Sequence, residues 1–376
     1  MKMGLYIHVP FCNSKCYYCD FLSFSNLNLQ EEYKKVLRKE LINYSTKIRN
    51  CKIKTIFIGG GTPTVLAPNF LREICETITK YFVLDESLEW TIEVNPNTLT
   101  NEHIEIFKNL PINRISLGLQ SIFPHHLKNI GRIHTFEQWE NCIEQLINAG
   151  ITNINTDLMF ALPNQSLEEW EQTLITVVKY PITHISAYAL IIEEGTPFFR
   201  QYEKGELELI DEKLDREMYN SAKIILAEHG FNHYEISNWS KNNLECKHNL
   251  VYWNCEQYLG VGLGASGYLD GVRYTNVLDL KKYIASNGEI SKIQEVIEPI
   301  SPQMSMEEFM FLGLRLIDGV KFEDFEKIFG ESLEKKYKFS IQKWIKQKAL
   351  VKTIDGIKLT PYGIDISNQV FTSFLE

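Results

Sequence analysis

No apolar run in this 376-residue chain approaches the roughly 18 to 20 residues that a membrane-crossing helix needs. The opening MKMGLYIHVPFC also lacks the apolar stretch and cleavage region of a secretory signal, so a cytoplasmic protein is expected. Positive charge is in deficit: 39 Lys and Arg stand against 48 Asp and Glu, a net charge of -9. No general attraction to nucleic acid or anionic lipid is encoded, and no nucleic-acid partner is expected. Internal repeats and low-complexity segments are missing too. The eight cysteines lack the spacing of a disulfide framework, because three fall within eight residues while Cys51, Cys75, Cys142, Cys246 and Cys255 are scattered. That distribution suits a metal site in a reducing compartment, with the scattered five as core or incidental thiols.

What is present is a βα rhythm. Strand-like runs GLYIHV, KTIFIGG from Lys54, LEWTIEV from Leu88, RISLGL from Arg114, NINTDLM from Asn153 and HISAYAL from His184 alternate with helix-like segments. The helices are expected near Gln30 to Ile48, Asn69 to Tyr81, Asn101 to Leu110, Phe136 to Ala149 and Leu167 to Lys179. This is the pattern of a parallel sheet, and six units predict an α/β fold built on an incomplete (β/α)6 barrel over residues 1–240. A full eight-unit barrel or a doubly wound sheet shares the rhythm, and in each the ligands belong at the carboxyl ends of the strands. After Gly195 the rhythm breaks. A charged helix is expected from Leu209 to Gly230, then an aromatic-rich connecting region over 241–300, closed by a linker near Pro299 to Pro302. The last segment, 301–376, predicts a small winged-helix-like domain: helices near Ser305 to Ile317, Phe322 to Ile328 and Leu333 to Lys348, a hairpin turning at Asp355-Gly356, and a final helix from Pro361.

The run CNSKCYYC places thiolates at Cys12, Cys16 and Cys19, and thiolates are the usual protein ligands of iron–sulfur clusters. Three ligands for four irons leave one iron open. A structural zinc site completed by His8 or another residue is the competing reading. Placement argues against it, since the cysteines follow the first strand directly and so sit at the carboxyl mouth of the sheet, where catalytic groups collect.

The segments YIHVPFCNSKCYYCDF, GGGTPT at Gly59 to Thr64, TIEVNP, ISLGLQS and DLMFALPNQ resemble the radical S-adenosylmethionine proteins related to oxygen-independent coproporphyrinogen III oxidase. The match runs in order along nearly the whole chain. It implies a [4Fe-4S] cluster on Cys12, Cys16 and Cys19, with S-adenosylmethionine at the open iron. By position, Tyr6, Gly60, Gly61, Thr62, Glu93, Gln120, Arg132 and Asp157 match the cofactor-contacting positions of that family. The chemistry is reasonable residue by residue: Glu93 and Asp157 accept from the cationic end of the cofactor, Arg132 pairs with its carboxylate, and Gln120 offers a donor and an acceptor. In the family an electron from the reduced cluster cleaves the cofactor to a 5'-deoxyadenosyl radical.

Within that group two readings differ in class. The coproporphyrinogen dehydrogenases carry a further cysteine two residues after the third and a sizeable N-terminal extension, whereas this chain has Phe21 there and Cys12 almost at its start. HNLVYW at His248 to Trp253 instead matches the HNxxYW signature of the haem chaperones of the HemW type. The resemblance therefore implies a protein that binds haem (heme) and delivers it to haem proteins, including membrane respiratory enzymes, with some tendency to dimerise. The alternative is an enzyme that decarboxylates coproporphyrinogen. His248 is the candidate haem residue, through iron ligation or by positioning the ring, with Cys246 and Cys255 as rival ligands.

Overall fold

A computed structural model describes residues 1–48 and 51–375. Six parallel strands follow the predicted positions: β1 (Lys2–Val9), β2 (Lys52–Gly60), β3 (Val83–Val94), β4 (Arg114–Gln120), β5 (Ile154–Phe160) and β6 (His184–Ala189), hydrogen-bonded in that order. β4 is buried along its whole length, as expected for a strand covered on both faces of a parallel sheet. Helices Gln30–Lys47, Pro68–Tyr81, Asn101–Asn109, Phe136–Asn148 and Leu167–Val177 cover the outer face. Three of them start on capping boxes: Thr100 with His103, Thr135 with Gln138 and Ser166 with Glu169 each exchange hydrogen bonds that satisfy otherwise orphaned amides.

The sheet does not stop at six strands. Two short antiparallel strands, β7 (Asn232–Glu235) and β8 (Asn238–Ser240), close the β6 side. On the other side β9 (Tyr258–Val261) runs parallel to β1, followed by β10 (Ser266–Leu269), β11 (Val272–Asn276) and β12 (Gln294–Pro299) in antiparallel order. The result is a twelve-stranded sheet whose parallel centre is the incomplete barrel. Residues 241–300, expected as a connecting region, thus contribute four strands to the same sheet. Those strands are four to six residues long and rich in glycine and polar residues, so no sustained alternation marked them in the sequence. A buried carboxylate ties them in: Glu40, on the first helix, accepts from the Gly262 amide, the Asn276 amide group and the Tyr283 hydroxyl.

The C-terminal unit has a core of its own, centred on Met310, Phe325, Leu333, Ile341, Trp344, Ile357 and Phe374. Helices Pro302–Gly313, Phe322–Phe329, Leu333–Lys336 and Lys338–Lys346 accompany a three-stranded sheet of β13 (Val320–Lys321), β14 (Leu350–Lys352) and β15 (Gly356–Leu359). The hairpin turn lies at Thr353 to Asp355, one residue before the predicted position. Gly356 is already in the strand, where a β-carbon would meet the Val320 carbonyl oxygen at 2.1 Å, so its glycine answers to strand packing instead of to the turn.

A candidate cofactor cleft at the mouth of the barrel

Cys12, Cys16 and Cys19 lie in the loop that leaves β1, half-buried and without disulfide partners. The loop is fixed by its backbone: Cys12 N–H donates to Phe24, Phe24 N–H to Pro10 and Tyr17 N–H to Ile130. All three thiols line one cleft with Gly60, Gly61, Thr62, Glu93, Gln120, Arg132 and Asp157. Seven of the eight residues matched to the cofactor therefore meet the cysteines in a single place, at the carboxyl ends of β2 to β5. Tyr6 does not line the cleft. Its ring is turned into the barrel, where its hydroxyl donates to His8 Nδ1 at 3.0 Å, since His8 Nε2 already donates to the Leu22 carbonyl.

The cleft suits a cofactor with charges at both ends. Gly60 has φ +102°, and a β-carbon there would sit 2.3 Å from the His8 ring; at Gly61 it would sit 2.5 Å from the Phe11 carbonyl oxygen. Only glycine lets the backbone pass this closely to the cysteine loop. Gly61 and Thr62 amides bond the Val9 and Phe11 carbonyls, which locks the two loops together. Arg132 donates to the Gly118 carbonyl at 2.9 Å and approaches Cys16 Sγ at 3.7 Å, while its Nε has no protein partner. That is a buried cation with capacity left for an anion. Across the cleft, burial and then the neighbouring Asp157 charge push the Glu93 carboxyl up to about 8, and burial likewise raises Asp157. Two carboxyl groups that resist ionising in isolation are the expected counterpart of a missing cation. Gln120 is held at φ 72° and receives the Tyr188 hydroxyl on Oε1 at 2.9 Å, leaving its amide nitrogen to the cleft.

The spacing of the thiols bears on zinc. Among the described residues, the His, Cys, Asp or Glu trio whose donor atoms all lie within 4.8 Å of one another is His125, His126 and Glu169, not the cysteines. Sulfurs on one tetrahedral zinc would stand about 3.8 Å apart given Zn–S bonds of about 2.3 Å. A wider spread suits thiolates on separate irons. In the histidine trio, both Nε2 atoms share the Glu169 carboxylate, which also caps its own helix from the Ser166 amide.

His248 is elsewhere. The HNLVYW motif forms the helix Lys247–Trp253, which plugs the barrel at the opposite end from the cysteines. Buried Glu89 accepts the Lys247 and His248 amides and so caps the helix start. The His248 ring is 1% exposed, with Nδ1 at 2.9 Å from Thr55 Oγ1 and Nε2 at 2.9 Å from the Tyr252 hydroxyl. Burial, with help from Arg114 and Lys54, brings its pKa down to about 3. Both nitrogens are thus engaged, and the imidazole does not line the cofactor cleft. The motif residue that does face a cavity is Asn249, beside Cys246. Trp253 and Tyr252 are also spoken for, by Arg315 stacked at 4.3 Å and by Tyr258.

Sequence reasoning passed over Arg114, Ser116, Asn155, Ser186 and Tyr188, which line the same interior. The available signal was the period of two: Arg114 and Ser116, Asn155 and Asp157, and Ser186 and Tyr188 stand at alternate positions of three neighbouring strands, separated by Ile115, Thr156 and Ala187.

Comparison with known proteins bears on the family and the fold. The Radical SAM superfamily profile matches residues 6–177, and the HemN C-terminal domain profile matches residues 300–366. Heme chaperone HemW of Lactococcus lactis is 38% identical over 371 residues, covering 98% of this chain and 96% of that protein. The chain belongs to the HemW family. The corresponding protein of Bacillus subtilis is 37% identical and covers 98% of each chain. The solved structure of coproporphyrinogen III oxidase (HemN) from Escherichia coli superposes with a TM-score of 0.86 over 99% of this chain and 90% of that one. At 17% identity that likeness establishes the fold alone. Membership of the radical SAM superfamily implies a [4Fe-4S] cluster and S-adenosylmethionine as cofactors. Among the described residues, no helix is long and apolar enough to cross a membrane.

Proposed function

We propose that this protein is a haem chaperone that holds a [4Fe-4S] cluster on Cys12, Cys16 and Cys19, binds S-adenosylmethionine in the adjoining cleft, and captures haem for delivery to haem proteins. The carrying observation is the full-length similarity to HemW proteins, in a chain that has HNLVYW at His248 to Trp253 and Phe21 two residues after Cys19. Arg132 takes the carboxylate of S-adenosylmethionine, Glu93 and Asp157 its cationic groups, and the Gly60–Gly61 backbone its polar edge. Tyr18 and Tyr188 add aromatic walls to the cleft. When bound, the cluster supplies one-electron reducing chemistry to the cofactor. His248 serves haem capture as a positioning residue, by holding the plug helix and with it Asn249. Recipients are haem proteins, with membrane respiratory enzymes and a dimeric state suggested by the family resemblance.

Anaerobic reconstitution followed by haem titration tests the reading. Iron and sulfide should bind at four each per chain, and Cys12→Ala, Cys16→Ala or Cys19→Ala should abolish them. Haem should bind with a Soret band. Sustained conversion of coproporphyrinogen to protoporphyrinogen, or an intact protein holding only zinc, would overturn it.

A further inference from the structure

Beneath the cofactor cleft lies a larger cavity of about 470 Å³, reaching from the cysteine loop down to the plug helix. The two share Tyr18, Cys19, Phe21, Glu93, Ser116, Asp157 and Tyr188. Phe57, Met159 and Ile191 give the larger cavity apolar sides, and Phe21 and Ile191, 61% and 66% exposed, stand on its lining as large apolar groups facing solvent. Its deep end is polar. Arg114, Asn155 and Asn249 line it there.

Arg114 is the anomaly. The side chain is 2% exposed, yet no carboxylate among the described residues comes within ion-pair distance of it. Its one hydrogen bond is a long 3.5 Å contact from Nη1 to Thr91 Oγ1, and its Nε has no partner. The nearby acids are committed elsewhere. Glu89 caps the plug helix, and Asp157 accepts from Asn155 at 2.7 Å and Ser116 at 3.3 Å. Glu89 and Asp157 act on its charge through space, yet neither touches the guanidinium, so its donors, Nε among them, are left for an anion. The cavity is where that anion has room.

We propose that this cavity is the haem site, and that Arg114 holds a propionate carboxylate of the porphyrin. The inference rests on the haem-binding reading above and adds the site and its anchor. Asp20, Glu93, Asp157 and Glu193 also line the chamber, but its apolar sides and its one buried cation, at the deep end, match a flat apolar ligand with carboxylates on one edge. It also accounts for the motif: the plug helix brings Asn249 to the same deep end while His248 pins that helix in place.

Haem and its dimethyl ester, which has the same ring and iron but no carboxylate, separate the alternatives. The reconstituted full-length protein should bind haem at least tenfold tighter than the ester. Arg114→Gln should bring the two affinities within about threefold of each other, and Arg114→Lys should restore part of the preference. Cluster content and melting temperature of each variant are measured alongside. Equal affinity of the wild type for haem and ester overturns the anchor without needing any variant to fold. An unchanged preference in a folded Arg114→Gln protein does the same. Failure to bind haem or ester at all would instead remove the chaperone reading on which the anchor depends.

Discussion

At the scale of single residues, Glu93 gives the clearest pH signature. Its folded carboxyl stands at about 8, raised by burial and then by Asp157, while the free group titrates near 4.5. Without a ligand, its contribution to stability is therefore complete below about pH 4.5 and is lost as the pH rises through about 8. The sulfonium of S-adenosylmethionine keeps its charge throughout that range, so it favours the ionised carboxylate. Affinity for the cofactor should rise between pH 6 and 8.5, and Glu93→Gln should flatten the rise. Calorimetric titration across that range checks it; an identical slope in wild type and variant would exclude Glu93 as the responsible group. The Gly60 amide, which donates to Glu93 Oε2 at 3.1 Å, keeps the carboxylate aimed at the cleft in either state.

At the scale of the element, the plug helix Lys247–Trp253 explains why a motif histidine need not be a ligand. Seven residues form too short a helix to persist alone, and this one is held by Glu89 at its start and by His248 between Thr55 and Tyr252. His248→Ala strands two buried hydroxyls and opens a void, a loss of about 2–4 kcal/mol. The melting temperature should fall by several degrees, while any haem that still binds keeps the wild-type Soret maximum. A shifted Soret band with unchanged melting would instead make the imidazole an iron ligand. The strands teach a related lesson. Their positions followed from β-branched runs, but which face of each strand carries the site depended on register, and one residue of slip in β5 would send Asn155 and Asp157 outward together.

At the scale of the whole molecule, the C-terminal unit is clasped to the barrel by charged groups. Arg273 on β11 forms a bidentate pair with Glu308 on helix Pro302–Gly313. Arg315 stacks on Trp253, the last residue of the plug helix, and reaches to 3.6 Å from the fully buried Glu235. Arg315→Ala leaves that carboxylate without its cation, at a cost of about 3 kcal/mol. The expected outcome is earlier melting together with faster proteolytic cleavage between the barrel and residue 302. Arg315→Lys should recover part of both. Cleavage as slow as in the wild type would show that Arg315 contributes nothing to holding the two units together.

The sequence alone determined the six βα units, the three thiols at a strand end, and the glycine, acid and arginine positions around them. These are local properties: periodicity, propensity and motif spacing survive without knowledge of contacts. Tertiary structure decided what spacing cannot express. The short strands β7 to β12 owe their existence to pairing partners far along the chain, not to their own alternation. Burial turned His248 from a candidate ligand into a doubly hydrogen-bonded strut, because its face of the motif helix docks against β1 and β2 while Asn249 takes the face toward the cavity. Arg114 reads in the sequence as a strand-initial arginine; the fold buries it near Glu89 and Asp157 but in contact with neither. A charge acquires meaning from its distance to other charges, and that distance is set only when the barrel closes around it.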